Sequence, residues 1–264
     1  MSKKKRFETI IVKKEKGIEW ITLNRPHRMN LFNLEMIQEL STAMDEAESD
    51  DEVRSIVFMG GGDRAFSAGA DFVLFSDMNP ESAVEKIEKG QNLMNKIEAS
   101  SKPTIAAIHG YCLGGGLELS LACDFRIADE TAELGAPEIL RGIIPGWGGT
   151  QRLCRTVGLA KAKEMVLIGD SLKAEEALES GLIHKTVPVD KLGEAAAALA
   201  SRLAEGPPIA IKFAKRALNQ GAQLPLREGL KYEVQAFKVL SATEDVIEGI
   251  SAFFEKRKPE FKGK

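Results

Sequence analysis

Three consecutive glycines, residues 114–116, stand directly before an apolar segment that is predicted to form a helix. Glycine lets the backbone turn sharply and approach a ligand closely, and the first turn of a helix carries N–H groups without internal partners. Glu118 lies three residues beyond Gly115, so its side chain falls on the helical face nearest that turn. Free amides beside a carboxylate suit a reaction in which a carbonyl oxygen becomes an oxyanion while an acid or base acts on a neighbouring atom. The simpler alternative is a tight strand-to-helix turn followed by a solvated glutamate.

Two further segments carry residues suited to this chemistry. Residues 65–71 (AFSAGAD) follow a predicted strand, and their small side chains permit close approach of the backbone. Such a segment is more often an ordinary loop, with Asp71 as a local cap. Glu138 follows Pro137 in a mostly apolar stretch, where burial would raise the pKa of its carboxyl group. A carboxyl group with a raised pKa is a candidate acid or base.

The three histidines do not suggest another catalytic group. His27, His109 and His184 lie in unrelated contexts, and the chain has no Gly-x-Ser-x-Gly motif of the kind that carries a nucleophilic serine. His109, at the end of a predicted strand, is expected to be packed or hydrogen-bonded rather than catalytic.

Length and composition limit the class of protein. At 264 residues the chain is long enough for one large α/β domain, or for a core with a smaller helical appendage. With 36 Lys and Arg against 39 Asp and Glu the net charge is −3, which argues against a nucleic-acid partner. Cys112, Cys123 and Cys154 lack the spacing of metal ligands, and the N-terminus lacks the apolar segment of a signal peptide. We therefore expect a cytoplasmic protein without a metal and, since no apolar run is long enough to cross a bilayer, without a membrane partner.

Hydrophobic periodicity predicts an alternation of strands and helices in the first three-quarters of the chain. Residues 9–12 and 17–23 are predicted to pair as strands, and residues 34–47 to form an amphipathic helix capped by Asn33. Further short strands are predicted at residues 54–59, 104–108 and 124–127. Short connections between such elements are typical of an α/β domain.

From about Leu192 onward the predicted strands end and helical patterns replace them. One apolar stripe at helical spacing lies between residues 209 and 218, and another between residues 246 and 254. Such stripes are most often core, although two of them before a charged tail would also suit a contact between subunits. We divide the chain into an α/β core that carries the active site, residues 1–192, and a helical C-terminal oligomerisation region, residues 193–264.

Taken together and in this order, these segments resemble the crotonase superfamily, which contains enoyl-CoA hydratases and isomerases. The resemblance extends over nearly the whole chain. The motifs that carry it are LNRP (23–26), FSAGAD (66–71), HGYCLGGGLE (109–118), ACD (122–124), PEI (137–139), IPG (144–146), GGTQRL (148–153) and FEKR (254–257). It implies an α/β, crotonase-like fold, a spiral of ββα units with a C-terminal helical region. The family uses that region to assemble as a homotrimer, commonly as a dimer of trimers.

The resemblance also implies the site residues. The backbone N–H groups of Ala70 and Gly115 would form an oxyanion hole for the thioester oxygen of an acyl-CoA, and Glu118 and Glu138 would be the catalytic pair. They would hold one water between them, with Glu118 helping to deprotonate it for attack on the β-carbon and Glu138 supplying a proton to the α-carbon. Because the pair titrates as a unit, a strict division of these roles is unsafe. The residues expected to bind the substrate are Ala68, Asp71, Phe72, Gly146, Trp147 and Lys256.

No metal or redox cofactor is implied, and coenzyme A enters only as part of the substrate. Two positions depart from the family's pattern. Val73 stands where many members carry a lysine near the coenzyme A, so the positive charge has to come from elsewhere. The candidates are Arg25, Arg28, Lys256 and Lys258. Trp147 stands where members often carry a small residue, and its ring would either narrow the acyl pocket or fill a core or an interface.

The leading function is hydration of a 2-enoyl-CoA to a 3-hydroxyacyl-CoA. A double-bond isomerase of the family needs only the carboxylate at the position of Glu138, so the presence of Glu118 favours a hydratase without excluding isomerase activity. Another acyl-CoA lyase or hydrolase of the family would keep the oxyanion loops but rearrange the acid and base groups. A distant alternative is an RNA-binding relative, which the basic residues 3–6 motivate and the net charge of −3 opposes.

Overall fold

The computed structural model describes residues 7–76 and 79–264, so the basic residues 3–6 lie outside the described residues. The strands in this part of the chain are β1 (Ile10–Glu15), β2 (Ile18–Leu23), β3 (Ser55–Gly60), β4 (Ala65–Ser67), β5 (Thr104–Ile108), β6 (Tyr111–Leu113), β7 (Phe125–Asp129), β8 (Glu133–Gly135), β9 (Ser171–Lys173) and β10 (Lys185–Val187). The α-helices are α1 (Leu34–Ser49), α2 (Pro80–Ala99), α3 (Gly115–Ala122), α4 (Gly149–Ile168), α5 (Ala174–Glu179), α6 (Leu192–Ala204), α7 (Pro208–Gly221), α8 (Leu226–Leu240) and α9 (Glu244–Glu255).

The strands form two sheets, and from β3 to β8 successive strands belong to the larger and the smaller sheet in turn. The larger sheet has the order β1-β2-β3-β5-β7-β10, and the smaller has the order β4-β6-β8-β9. Pairing is parallel except for β1 with β2 and β8 with β9, which are antiparallel. Each unit of the spiral therefore gives one strand to each sheet and then a helix: β3, β4 and α2, followed by β5, β6 and α3.

The central strands of the larger sheet are covered on both faces, which accounts for the continuous apolar sequences of β3 and β5. On one face Ile56 and Phe58 of β3 pack with Leu40 of α1 and Met94 of α2. On the other face Val57 packs in a second cluster that includes Ala196 and Ala200 of α6. Alternate residues of β3 thus face different helices, as the two-residue period of a strand requires.

The α/β class and the order of strand, strand and helix expected from the sequence are confirmed. Asn33 caps α1, because its side chain accepts a hydrogen bond of 2.9 Å from the backbone N–H of Met36. The predicted strand at residues 104–108 coincides with β5, and the other predicted strands differ from the observed ones by a few residues at their ends. The smaller sheet was not predicted, since its strands have only three residues each and show no readable period.

The chain after β10 is helical, as predicted. The first of these helices, α6, packs on the larger sheet, whereas α8 and α9 leave large apolar side chains in solvent. Phe237 is 75% exposed, Phe253 78% and Phe254 77%. None of the described helices has the length and apolar character needed to span a bilayer. The boundary between residues 192 and 193 stays a prediction.

Candidate active site

The small sheet brings the predicted site residues together. Strands β4, β6 and β8 are parallel neighbours, so their carboxyl ends meet at one edge of the sheet. Ala70 follows β4, Gly115 follows β6 and Glu138 follows β8. Ligands of α/β folds bind at such carboxyl edges because the loops that leave the strands converge there.

A cavity of about 970 Å³ opens at this edge. Eight of the ten predicted site residues line it: Ala68, Ala70, Phe72, Gly115, Glu118, Glu138, Gly146 and Trp147. Most of the remaining wall is apolar and includes Leu31, Ile87, Ile143 and Ile144. A concave, mainly apolar site with a few convergent polar groups is typical of a small-molecule pocket.

The glycine run forms the turn from β6 into α3. Gly114 has a φ of 49°, a left-handed value that favours glycine, and Gly115 is the first residue of α3. At that position a helix provides no internal acceptor for the N–H group. The amide of Gly115 accordingly donates to no other residue in the described part of the chain. It lies at the cavity and is free to donate to a ligand.

The loop after β4 presents a second free amide. Phe32 pairs with Ala70 in a parallel bridge, in which Phe32 N–H donates to Gly69 O and Asp71 N–H donates to Phe32 O. This pattern uses the neighbours of Ala70, so its own N–H points away from Phe32 and has no partner among the described residues. A Cβ atom placed on Gly69 would lie 3.6 Å from the backbone nitrogen of Gly115. The loops of Ala70 and Gly115 are therefore in contact.

Glu118 is held by the backbone of a distant segment. Its Oε1 accepts hydrogen bonds from the N–H groups of Trp147 at 2.7 Å and Gly149 at 2.8 Å. The residue is 4% exposed. Burial, and to a smaller extent the negative charge of Glu138, raise the pKa of Glu118 to about 7, although the two amides and Arg152 oppose the shift. Its carboxyl group can therefore exchange a proton near neutral pH.

Glu138 lies on a short 3-10 helix, Pro137–Arg141, directly after β8. Burial raises the pKa of its carboxyl group, as its apolar sequence context predicts. Its Oε2 is buried and has no hydrogen-bond partner in the described part of the protein. Its Oε1 lies beside the glycine turn, 3.0 Å from the position of a Cβ atom on Gly114. An unpaired oxygen of this kind is available to a ligand or a water molecule.

Trp147 combines the two alternatives that the sequence left open. Its ring lines the cavity, yet the residue is only 3% exposed and belongs to the core. A Cβ atom on Gly90 of α2 would lie 2.2 Å from Trp147 Cδ1, and one on Gly115 would lie 2.5 Å from Cζ3. The ring therefore fits between two residues without side chains. It also packs edge-on against Phe32, with ring centroids 5.5 Å apart.

Two predicted substrate-binding residues do not line the cavity. The Asp71 carboxylate accepts a hydrogen bond of 3.2 Å from Arg25 and another from the backbone N–H of Val73. These bonds stabilise the loop in which Asp71 lies. Lys256 follows the end of α9 and lies outside the cavity wall. The other cations suggested for coenzyme A are also elsewhere: Lys258 pairs with Glu205 at 2.7 Å, and Arg25 and Arg28 do not line the cavity.

Three residues shape the site in ways that the sequence does not predict. Arg141 lines the cavity, and Gln91 of α2 donates a hydrogen bond of 2.8 Å to Gly146 O. Arg152 donates to Trp147 O at 3.1 Å and pairs with Glu98 of α2 at 2.7 Å. The only signal of α2's role was Gly90, a helix-interior glycine that costs roughly 1 kcal/mol relative to alanine and so calls for a packing reason.

No group of His, Cys, Asp and Glu side chains in the described ranges has the arrangement of a metal site. The site instead offers two free amides and two carboxyl groups with raised pKa values at one cavity. Such amides can stabilise negative charge on a carbonyl oxygen, and the carboxyl groups can transfer protons beside it.

Known proteins are similar to this chain in both sequence and fold. A model of the family described as enoyl-CoA hydratase/isomerase matches residues 13–264. The chain is 38% identical to a short-chain-enoyl-CoA hydratase of Clostridium acetobutylicum, over 96% of this chain and 97% of the relative. It is 39% identical to a crotonyl-CoA hydratase of Syntrophomonas wolfei, over 97% and 98% of the two chains. The crystal structure of an enoyl-CoA hydratase from Bacillus anthracis superposes with a TM-score of 0.94 at 41% identity, over 97% of this chain and all (100%) of that one. The chain belongs to the enoyl-CoA hydratase/isomerase family.

Proposed function

We propose that this protein adds water across the C2–C3 double bond of a 2-enoyl-CoA thioester and so forms a 3-hydroxyacyl-CoA. The observation that carries the proposal is the presence of Glu118 and Glu138, both with raised pKa values, at a cavity with two free backbone amides. The similarity to enoyl-CoA hydratases over nearly the whole chain supports the same reaction.

The amides of Ala70 and Gly115 receive the thioester oxygen. Addition of hydroxide to C3 moves electron density through C2 to this oxygen, which becomes an enolate oxyanion. Donors that are already fixed in place stabilise this charge without reorganising, and one such donor is worth about 3 kcal/mol in other enzymes. The free amides of the two touching loops support this role.

The two glutamates hold the water and move its protons. Glu118, with Oε1 fixed by two amides, directs its other oxygen to the water and takes a proton from it as the oxygen bonds to C3. Glu138 gives a proton to C2, so that water is added as H and OH across the double bond. The total charge of the pair is unchanged by the reaction, and transfer of the proton from Glu118 to Glu138, directly or through solvent, restores the starting protonation states. Because the carboxyl groups interact, the pair and not either residue sets the apparent pKa values of the reaction.

The substrate brings coenzyme A with it, and the proposed reaction needs no further cofactor. We expect a short acyl group, because the Trp147 ring occupies part of the cavity wall next to Gly115. The similarity to relatives named for short-chain and crotonyl substrates supports the same expectation. The coenzyme A phosphates require cations at the cavity mouth, and Lys256 remains a candidate only if a neighbouring subunit presents it.

We further propose that the chain assembles as a homotrimer or a dimer of trimers through its C-terminal helices. Phe237, Phe253 and Phe254 are each about three-quarters exposed, together with Leu226 and Ile247 on the same helices. Apolar surface of this extent is costly in water and is typical of a subunit contact. The cytoplasm is the proposed location, which the three free cysteines support.

The test is turnover of crotonyl-CoA by the purified protein. Hydration removes the ultraviolet absorbance of the conjugated thioester and adds the mass of one water to the acyl-CoA, whereas an isomerase would convert a 3-enoyl-CoA to a conjugated ester without a change of mass. Formation of 3-hydroxybutyryl-CoA supports the proposal. Isomerisation without hydration, or no turnover of any 2-enoyl-CoA from four to ten carbons, would contradict it.

A further inference from the structure

Arg141 carries the one cationic side chain among the residues that line the cavity in the described part of the chain. The side chain is exposed, and it forms no hydrogen bond or ion pair with another described residue. Its charge therefore lies at the site without a partner in the protein.

No structural role accounts for this charge. Arg141 ends the 3-10 helix that carries Glu138, but the carbonyls at that helix end already accept hydrogen bonds from the backbone: Gly142 N–H donates to Ile139 O, and Ile143 N–H donates to Glu138 O. The cation whose charge lowers the pKa of Glu118 is Arg152. Arg141 thus neither caps its helix nor pairs with the catalytic carboxylates.

The helix geometry gives the position of Arg141 relative to Glu138. Side chains at i and i+3 of a 3-10 helix lie on the same side, and the rise of about 2 Å per residue puts them roughly 6 Å apart along the axis. Arg141 is therefore one turn beyond Glu138 on the same side of its helix. An acyl chain that extended from the thioester past Glu138 along this helix would reach this turn.

The surroundings of Arg141 strengthen the need for an anionic partner. Ile143 and Ile144 follow it in the chain and also line the cavity, as does Ile87 of α2. An acyl chain packed against these side chains removes water from the neighbouring guanidinium, and that loss is offset only when an anion takes the place of the water. A carboxylate matches the planar guanidinium and can accept two hydrogen bonds from it.

We propose that Arg141 binds a carboxylate at the far end of the acyl chain, so that short ω-carboxylated 2-enoyl-CoA thioesters are substrates of this site. The proposal rests on the proposed hydration and specifies its substrate class. The phosphates of coenzyme A are the other anions of the substrate; they are attached through the thioester sulfur, on the other side of the carbonyl carbon from the acyl chain.

The experiment compares two six-carbon substrates that differ only at the distal end: the CoA thioesters of trans-hex-2-enoic acid and trans-hex-2-enedioic acid. Both acyl groups are also tested as pantetheine thioesters, which lack the phosphates of coenzyme A. The enzymes are the wild type, Arg141→Leu, Arg141→Lys and the control Arg202→Leu. Arg202 is an arginine of α6 that does not line the cavity.

The measured quantity is the ratio of kcat/KM for the dicarboxylic ester to kcat/KM for the neutral ester. Arg141→Leu is expected to lower this ratio roughly 10- to 100-fold, the size of one lost charge-assisted hydrogen-bonded pair, and Arg141→Lys to lower it less. The same fall is expected with the pantetheine thioesters, and Arg202→Leu should leave the ratio unchanged.

An unchanged ratio in Arg141→Leu would overturn the inference. Equal losses for both CoA esters that disappear with the pantetheine thioesters would overturn it too, because they would assign Arg141 to a phosphate. The wild type separates this failure from that of the proposed function. If the wild type hydrates the neutral ester, only the inference on Arg141 is contradicted. If the wild type hydrates neither ester, the proposed hydration is contradicted as well.

Discussion

The two glutamates of the cavity differ in how the protein holds them. The Oε1 of Glu118 is fixed by two backbone amides, whereas the Oε2 of Glu138 is buried without a partner among the described residues. A restrained carboxylate suits the orientation of a water molecule, and an unpaired oxygen suits the delivery of a proton. Burial raises the pKa of both groups, which favours their protonated forms at a higher pH than is usual for glutamate.

Replacement of either glutamate by glutamine tests this assignment. Glu118→Gln and Glu138→Gln keep the shape of the side chain and remove only the titrating group, so each is expected to lower kcat for crotonyl-CoA about 100-fold or more. The melting temperature should not fall, because the amide oxygen of the glutamine introduced by Glu118→Gln can still accept the two backbone hydrogen bonds. Glu179→Gln, at an exposed position of α5, is the matched control. Full activity of either active-site variant would contradict the mechanism.

The pKa of Glu118 also predicts a pH dependence of stability. The folded protein holds its proton up to a pKa of about 7, whereas the unfolded chain releases it near the ordinary glutamate pKa of 4.5. Between these values the folded state binds more protons, so the contribution of Glu118 to the free energy of unfolding decreases as pH rises through this window. The decrease amounts to roughly 3 kcal/mol. In urea titrations from pH 4.5 to 7.5, Glu118→Gln should gain stability relative to the wild type as pH rises, and a constant difference between the two would disprove the shift.

Trp147→Ala is expected to change both stability and substrate length. Removal of a buried Trp side chain costs about 3–5 kcal/mol, and the space left beside Gly115 enlarges the cavity. The relative kcat/KM for longer enoyl-CoA esters should rise in a graded way, because each added methylene in an apolar pocket is worth about 1–3 kcal/mol. Turnover of four-, six-, eight- and ten-carbon esters measures this change. A lower melting temperature with an unchanged length profile would assign the ring to packing alone.

At the scale of elements, α2 forms part of the cavity wall and packs against the segments that carry the candidate site residues. Gly90 provides the flat surface on which the Trp147 ring rests, and Gln91 hydrogen-bonds to Gly146 O. Glu98 holds Arg152, which in turn donates to Trp147 O. The backbone of the same tryptophan fixes Glu118, and its ring touches the turn at Gly115. The position of α2 therefore sets the positions of both the Gly115 amide and the Glu118 carboxylate.

Gly90→Ala tests this support, and helix propensity and packing predict opposite effects. Alanine in a helix interior favours folding by roughly 0.5–1 kcal/mol over glycine. The new Cβ atom would lie 2.2 Å from the Trp147 ring and push it toward Gly115, so we expect kcat to fall at least about tenfold. Trp147→Phe in the same chain should recover part of the loss because the smaller ring makes room.

The matched control for this change is Gly193→Ala in α6, where a Cβ atom meets nothing within 4 Å. It should leave kcat unchanged. A Gly90→Ala variant as active as this control would show that α2 does not position the site.

At the scale of the whole molecule, the C-terminal helices have two different tasks. Helix α6 completes the core by covering Val57, Ile105 and Ile127 of the larger sheet. Helix α7 is attached through Lys215, whose ammonium pairs with Asp124 at 2.7 Å. Helices α8 and α9 instead expose phenylalanines to solvent, which suits assembly with further copies of the chain.

Truncation after Leu192 should therefore destroy the fold. It removes most of α6 and exposes one apolar face of the larger sheet, so the product is expected to aggregate or to remain unfolded. Expression of residues 1–192, followed by size-exclusion chromatography and circular dichroism, measures the outcome. A soluble, monomeric and active product would contradict both the packing role of α6 and the proposed assembly.

The sequence by itself determined the elements whose pattern is local. The β1–β2 pair, α1 with its Asn33 cap, β5 and the glycine turn into α3 were all predicted, because periodicity, capping and glycine content act within a few residues. The motifs in their order also identified the crotonase superfamily. The local context of Glu118 and Glu138 is enough to indicate both as candidate acid or base residues.

Only the tertiary structure decided how these residues meet. The backbone donors that hold Glu118 are 29 and 31 residues away along the chain, and the strands that converge on the site are too short to show a period. Asp71 binds Arg25 instead of lining the cavity, and the Trp147 ring lies between Gly90 and Gly115. These arrangements depend on which side chains the fold brings into contact and on the space left between them. A local pattern of residue types specifies neither the contacts nor the space.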